Sequence, residues 1–119
     1  MTKTETDILN EARATIADPE RWVTGNYAVN QYGSTAHPWD NHAVRWCAIG
    51  AIEKVKVPHQ DWSGTAGAKQ TLRRAALDLF SMSVPAVNDR LGHESVMSMY
   101  DHAIKSLEEA DAADDATAA

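Results

Sequence analysis

The chain carries a single cysteine in 119 residues. One cysteine excludes an intramolecular disulfide and any cysteine cluster around a metal. Long apolar runs are also missing. The longest, Ala43–Ile52, is about half of the ~20 residues that cross a bilayer. The first residues, Met1-Thr2-Lys3-Thr4-Glu5, are polar with no apolar region behind them, so no signal peptide is expected. A cytoplasmic protein with no membrane partner is the simplest reading. Basic residues are in the minority: 11 Lys and Arg against 17 Asp and Glu give a formal net charge of -6. Five of those acids, Glu108, Glu109, Asp111, Asp114 and Asp115, fall within 108–119, where there is no base. The remainder is nearly neutral and offers no basic face to phosphates, so a nucleic-acid partner is not expected.

What is present is ordinary globular material, 44% hydrophobic, in a length that suits one domain. Residues 1–107 are expected to form that domain. Residues 108–119 lose apolar periodicity and are expected to be an acidic, disordered tail.

Helical spacing is clearest at the two ends. Thr4 and Asp7 make a partial capping box, and Ile8, Leu9, Ala12 and Ile16 then share one face of a helix over 4–17. Val96, Met99, Tyr100, Ala103 and Leu107 do the same for a last helix over 93–110. Ala68, Leu72, Ala75, Ala76 and Leu79 mark another over 65–82, after a connector at 56–64. The run Ala43–Ile52 is apolar on nearly every side, as in an enclosed helix. It predicts a central helix over 41–55, capped by Asp40 or Asn41 and stopped at Val57-Pro58. Residues 83–92 read as a break followed by a polar connector.

Residues 19–40 differ from the rest. Trp22, Tyr27, Tyr32 and Trp39 alternate with Gly25, Asn26, Asn30, Gly33 and Pro38. This is either an irregular segment pinned by aromatics or a small hairpin about Gly25-Asn26. The fold class is therefore mainly α, about four helices packed round the helix 41–55, with this aromatic segment at one end. The expected core is Ile8, Leu9, Trp22, Val44, Cys47, Ala48, Ala51, Leu72, Leu79, Val96, Tyr100 and Ile104.

Three groups of residues could carry chemistry. A cysteine is a nucleophile when a base or a helix N-terminus lowers its pKa. If the protein is an enzyme, Cys47 with His42 and Asp89 is the set to consider; His37 or His59 could replace His42, and Asp40 could replace Asp89. A buried cysteine instead behaves as a small hydrophobe. His37, Asp40 and His42 are zinc-ligand types, but their spacing fits no standard zinc motif, so neither a metal nor another cofactor is expected. Asn88, Asp89 and Arg90 could clamp a ligand or simply hold a turn. With Trp22, Tyr27, Tyr32 and Trp39 they make up the expected binding residues.

Two resemblances follow from these residues. Trp22-Val23-Thr24-Gly25, then Cys47-Ala48-Ile49-Gly50-Ala51, then Asn88-Asp89 before Val96 and Ala103-Ile104 resemble an uncharacterised family of small proteins of bacteria and their phages. The likeness spans about residues 5–107 and implies a soluble accessory protein, with no activity to carry over. The stretch Leu91-Gly92-His93, followed by Tyr100, is similar to the end of tyrosine recombinases. In this chain Tyr100 stands too close to His93 for that pattern, the chain is short for such a catalytic domain, and no upstream arginine box is apparent. The function expected is a non-enzymatic regulator that binds another protein through residues 22–40, with a phage-type inhibitor as one form of it. The alternative is a small cysteine-dependent hydrolase or transferase.

Overall fold

The chain is described here from a computed structural model, which describes residues 3–55 and 62–117. Helix α1, Glu5–Ile16, opens with the full capping box. The Asp7 N–H donates to Thr4 Oγ1 and the Thr4 N–H to Asp7 Oδ2, each at 3.1 Å. Aspartate thus serves where glutamate is usual. The face formed by Ile8, Leu9, Ala12 and Ile16 is fully buried. Asp18 then caps a short 3-10 turn, Pro19–Arg21.

The expected central helix over 41–55 is not one element. Strand β1, Ala28–Asn30, pairs antiparallel with strand β2, Ala43–Trp46, and only Ala48–Lys54 forms the helix, α2. The register sets Ala28 opposite Trp46, Val29 opposite Arg45 and Asn30 opposite Ala43, with a bulge that leaves Val44 unpaired. The hairpin therefore spans 28–46, using the first part of the apolar run, and is not built about Gly25-Asn26. A ten-residue apolar run cannot be divided between strand and helix by periodicity alone. Here the division falls at Cys47, whose extended backbone makes it the N-cap of α2. Val44, expected in the core, is 41% exposed because the bulge turns it outward.

Helix α3 runs from Trp62 to Phe80 and buries Ala68, Leu72, Ala75 and Ala76. Leu79, another expected core residue, is 42% exposed; in that last turn Phe80 packs on the core instead. Most of the connector expected at 56–64, including His59, lies outside the described residues. At 83–92 the break is milder than expected. Ser83 caps a helical turn α4, Val84–Ala86, which continues as a π-helical turn, Val87–Leu91. Helix α5, His93–Thr117, follows. It buries Val96, Met99, Tyr100, Ala103 and Ile104 and runs beyond 110 through the acidic stretch. Alanine and glutamate are good helix formers, so the loss of apolar periodicity there does not end the helix.

The fold is thus mainly helical, with one small antiparallel hairpin among the described residues. Helix α1, rather than the 41–55 stretch, packs against α2, α3 and α5 together. Ion pairs brace this arrangement at its surface: Arg13 to Asp101 joins α1 to α5 at 2.7 Å, and Lys69 to Glu53 joins α3 to α2 at 2.9 Å. No described helix is long and apolar enough to cross a membrane.

Candidate functional site: a cleft built on a polar knot

The site begins with Asn88. It lies in the π-helical turn and is almost fully buried. A buried asparagine has two acceptor and two donor positions to satisfy. Its Oδ1 accepts from Trp22 Nε1 at 2.7 Å and from the Ala48 N–H at 3.0 Å. Its Nδ2 donates to the Val23 carbonyl at 3.0 Å and to Asp89 Oδ1 at 2.9 Å. Asp89 Oδ1 also accepts from the Gly25 N–H at 3.0 Å. Gly25 has φ +80, a conformation that favours glycine. Ala48 is held from its other side too, since buried Tyr100 donates its hydroxyl to the Ala48 carbonyl.

A second contact locks the hairpin to α2. The Cys47 N–H donates to the Tyr27 carbonyl at 3.1 Å, and Gly50 comes so close to that carbonyl that a Cβ would stand 1.9 Å from its oxygen. Trp22, Gly25, Cys47, Gly50, Asn88 and Asp89 therefore meet in one knot. Every one of them has a structural task there. Trp22, half-buried and edge-on to His93 at 5.5 Å, belongs to the knot and not to an exposed surface.

Above the knot is an open cleft of about 570 Å³ between residues 25–39 of the hairpin segment and the starts of α2 and α4. Tyr27, Trp39, Ile49, Val84 and Pro85 give it apolar walls; His37, Cys47, Glu53 and Asp89 give it polar ones. Trp39 is 64% exposed and stacks on His37, with ring centroids 4.9 Å apart and planes 9° from parallel. Its backbone is fixed by turns. Asp40 Oδ1 accepts from the His42 N–H at 2.8 Å, and buried Trp46 donates its Nε1–H to the Pro38 carbonyl at 2.9 Å. Tyr27 and Tyr32 are 55% and 82% exposed. Asn30 Oδ1 pins the Tyr32 turn by accepting from the N–H groups of Tyr32 and Ser34.

Cys47 faces this cleft and is half-buried. Its Sγ accepts from the Gly50 N–H at 3.3 Å. Burial, the largest influence, pushes the thiol pKa up. The N–H groups of Gly50 and Ile49 oppose that, while the charges of Asp89 and Glu53 add to it. The thiol is thereby kept protonated.

The other sequence candidates separate. His37 shares the cleft with Cys47 and Asp89, but His42 lines a neighbouring depression with Tyr32 and Asp40. The set Cys47, His42 and Asp89 is therefore not assembled around one cleft. His37, Asp40 and His42 border that second depression together, yet no group of three His, Cys, Asp or Glu among the described residues is arranged to hold a metal ion. Arg90 is exposed and stands outside the cleft lining. Tyr100 is fully buried beneath α2, where no DNA phosphate could reach it. Ile49, Glu53, Val84 and Pro85 line the cleft without having been candidates. In the sequence Ile49 and Glu53 read as part of an enclosed helix, and Val84-Pro85 reads only as a breaker.

A mainly helical scaffold carrying a hairpin-lined cleft defines a class of small domain, and its sequence places it further. Residues 1–106 match a family of unknown function, DUF6197, and the chain belongs to that family. No curated protein and no solved structure matches it.

Proposed function

We propose that this protein is a small cytoplasmic accessory protein of a bacterium, plasmid or phage. It acts as a non-enzymatic regulator, of which a phage-type inhibitor is one form, by binding another protein through the exposed aromatics of residues 22–40, Tyr27 and Trp39 at the cleft and Tyr32 at the neighbouring depression. The observation that carries this reading is the exposure of Tyr27, Tyr32 and Trp39 on a segment whose backbone is pinned by turn hydrogen bonds. Rigid exposed aromatics lose little freedom on binding and commonly anchor interfaces. The cysteine-enzyme alternative is less well supported, because burial and two nearby acids hold the Cys47 thiol in its protonated form and a nucleophilic cysteine needs the reverse.

The test is a pair of variants, Tyr32→Ala and Trp39→Ala. Each is expected to keep the wild-type circular dichroism and melting curve and to lose a protein that the wild type captures from its host. Unfolding of both variants would show that the rings are core and that the binding surface lies elsewhere.

A further inference from the structure

The chemistry of the cleft narrows the kind of partner. Among its lining residues are two carboxylates, Glu53 and Asp89, and no lysine or arginine. Lys69 already pairs with Glu53 through Oε1. Asp89 spends Oδ1 on Gly25 and Asn88, while its Oδ2 has no hydrogen-bond partner among the described residues, and the side chain is exposed. Beside these acids stand the apolar walls of Ile49, Val84 and Pro85 and the indole of Trp39. His37 stacks on that ring, whose high exposure leaves its other side open. An anionic occupant would be repelled by the acids, and a purely apolar one would strip water from a carboxylate without replacing it.

We propose, building on the protein-binding reading above, that the cleft receives an arginine side chain from an extended basic segment of the partner protein. Its methylenes lie along the Ile49 and Val84-Pro85 walls. Its guanidinium stacks on the open face of Trp39 and donates to Asp89 Oδ2. Arginine fits better than lysine because its planar, weakly hydrated head group stacks on aromatic faces as well as pairing with carboxylates. Cys47 takes no chemical part and forms the floor.

The probe is a capped Gly-Gly-Arg-Gly-Gly peptide titrated into the full chain and followed by Trp fluorescence and amide NMR shifts. Its counterparts carry lysine, citrulline or glutamate at the centre, and free arginine amide is a further arm. The arginine peptide is expected to move the Trp39, Cys47 and Asp89 signals and to bind about tenfold more tightly than the citrulline peptide, with the glutamate peptide inert. Asp89→Asn keeps the Oδ1 acceptor that holds Gly25, and should weaken the arginine peptide about tenfold while leaving the melting curve in place. Trp39→Ala should weaken it severalfold. Equal binding of the arginine and citrulline peptides would overturn the proposal, as would equal binding by wild type and Asp89→Asn. Free arginine amide binding as tightly as the peptide would also overturn it, by pointing to a small-molecule pocket. If no peptide binds while Tyr32→Ala and Trp39→Ala still lose the captured protein, the arginine assignment fails and the protein-binding reading survives. If those variants lose nothing, the reading beneath it fails as well.

Discussion

The two halves of this molecule are held together by different forces. Around α1, α3 and α5 the contacts are apolar: Ile8, Leu9, Ile16, Leu72, Val96 and Met99 are fully buried side chains on interlocking helix faces. Around the hairpin and the start of α2, buried apolar residues such as Ala28, Trp46 and Ile52 are joined by a dense set of polar contacts. Asn88 has all its hydrogen-bonding positions filled, and Asn30, Asp40, Asp18 and Asp89 each satisfy backbone N–H groups. Burial is non-directional, so it yields stability and tolerates adjustment. Hydrogen-bonded knots fix positions, and each buried group left unpaired is costly. A scaffold of the first kind carrying a cleft of the second kind allows exposed rings to be held rigidly without a large core beneath them.

Substitutions should break the two halves in different ways. The largest loss is expected for Asn88→Ala, which orphans the Trp22 Nε1–H, the Ala48 N–H and the Val23 carbonyl. Urea unfolding should show about 4 kcal/mol of destabilisation, given roughly 1–3 for each unsatisfied buried group and some rescue by water. Asn88→Asp should not restore the lost stability, because a second oxygen would replace the Nδ2 donor against Asp89 Oδ1 and the Val23 carbonyl in a buried site. Leu72→Ala removes a buried side chain on the helical side and should cost about 3 kcal/mol without disturbing the NMR signals of the hairpin. Gly50→Ala drives a Cβ into the Tyr27 carbonyl and should cost about 3 kcal/mol as well, with shifts concentrated at Tyr27 and Cys47. Tyr32→Ala should change stability by less than about 0.5 kcal/mol, as for an exposed position. A large loss at Tyr32, or a small one at Asn88, would remove the distinction between the halves.

A smaller effect concerns pH. Because burial raises the Cys47 pKa, the folded state holds that proton more tightly than the unfolded chain. Stability present at neutral pH should therefore fall as the pH rises through the unfolded thiol value of about 8.5. Cys47→Ser, which supplies a preferred N-cap, should fold normally and lose this slope over roughly pH 8–10.

The sequence made the helical half legible because its helices repeat an apolar face at 3.6-residue spacing, and α1 adds a capping box. The cleft half was opaque for three physical reasons. A continuous apolar run conceals where strand gives way to helix. Cysteine is not among the usual N-caps that would have placed the boundary at residue 47. The partners of the knot are far apart in the chain, as Trp22 and Asn88 are, 66 residues from each other, and no local pattern encodes such a meeting. The exposed Tyr27, Tyr32 and Trp39 were nevertheless marked out by their setting among Gly, Asn and Pro, the turn residues that now pin them.

On the proposed function, the cleft binds a partner and Cys47 does no chemistry. The alkylation rate of Cys47 at neutral pH, native against unfolded, tests it most directly. A native thiol that reacts more slowly than the unfolded chain, with its pH midpoint shifted upward, is the expected result. A native thiol that reacts faster than a free cysteine would mean that a thiolate is stabilised there, and would contradict the claim.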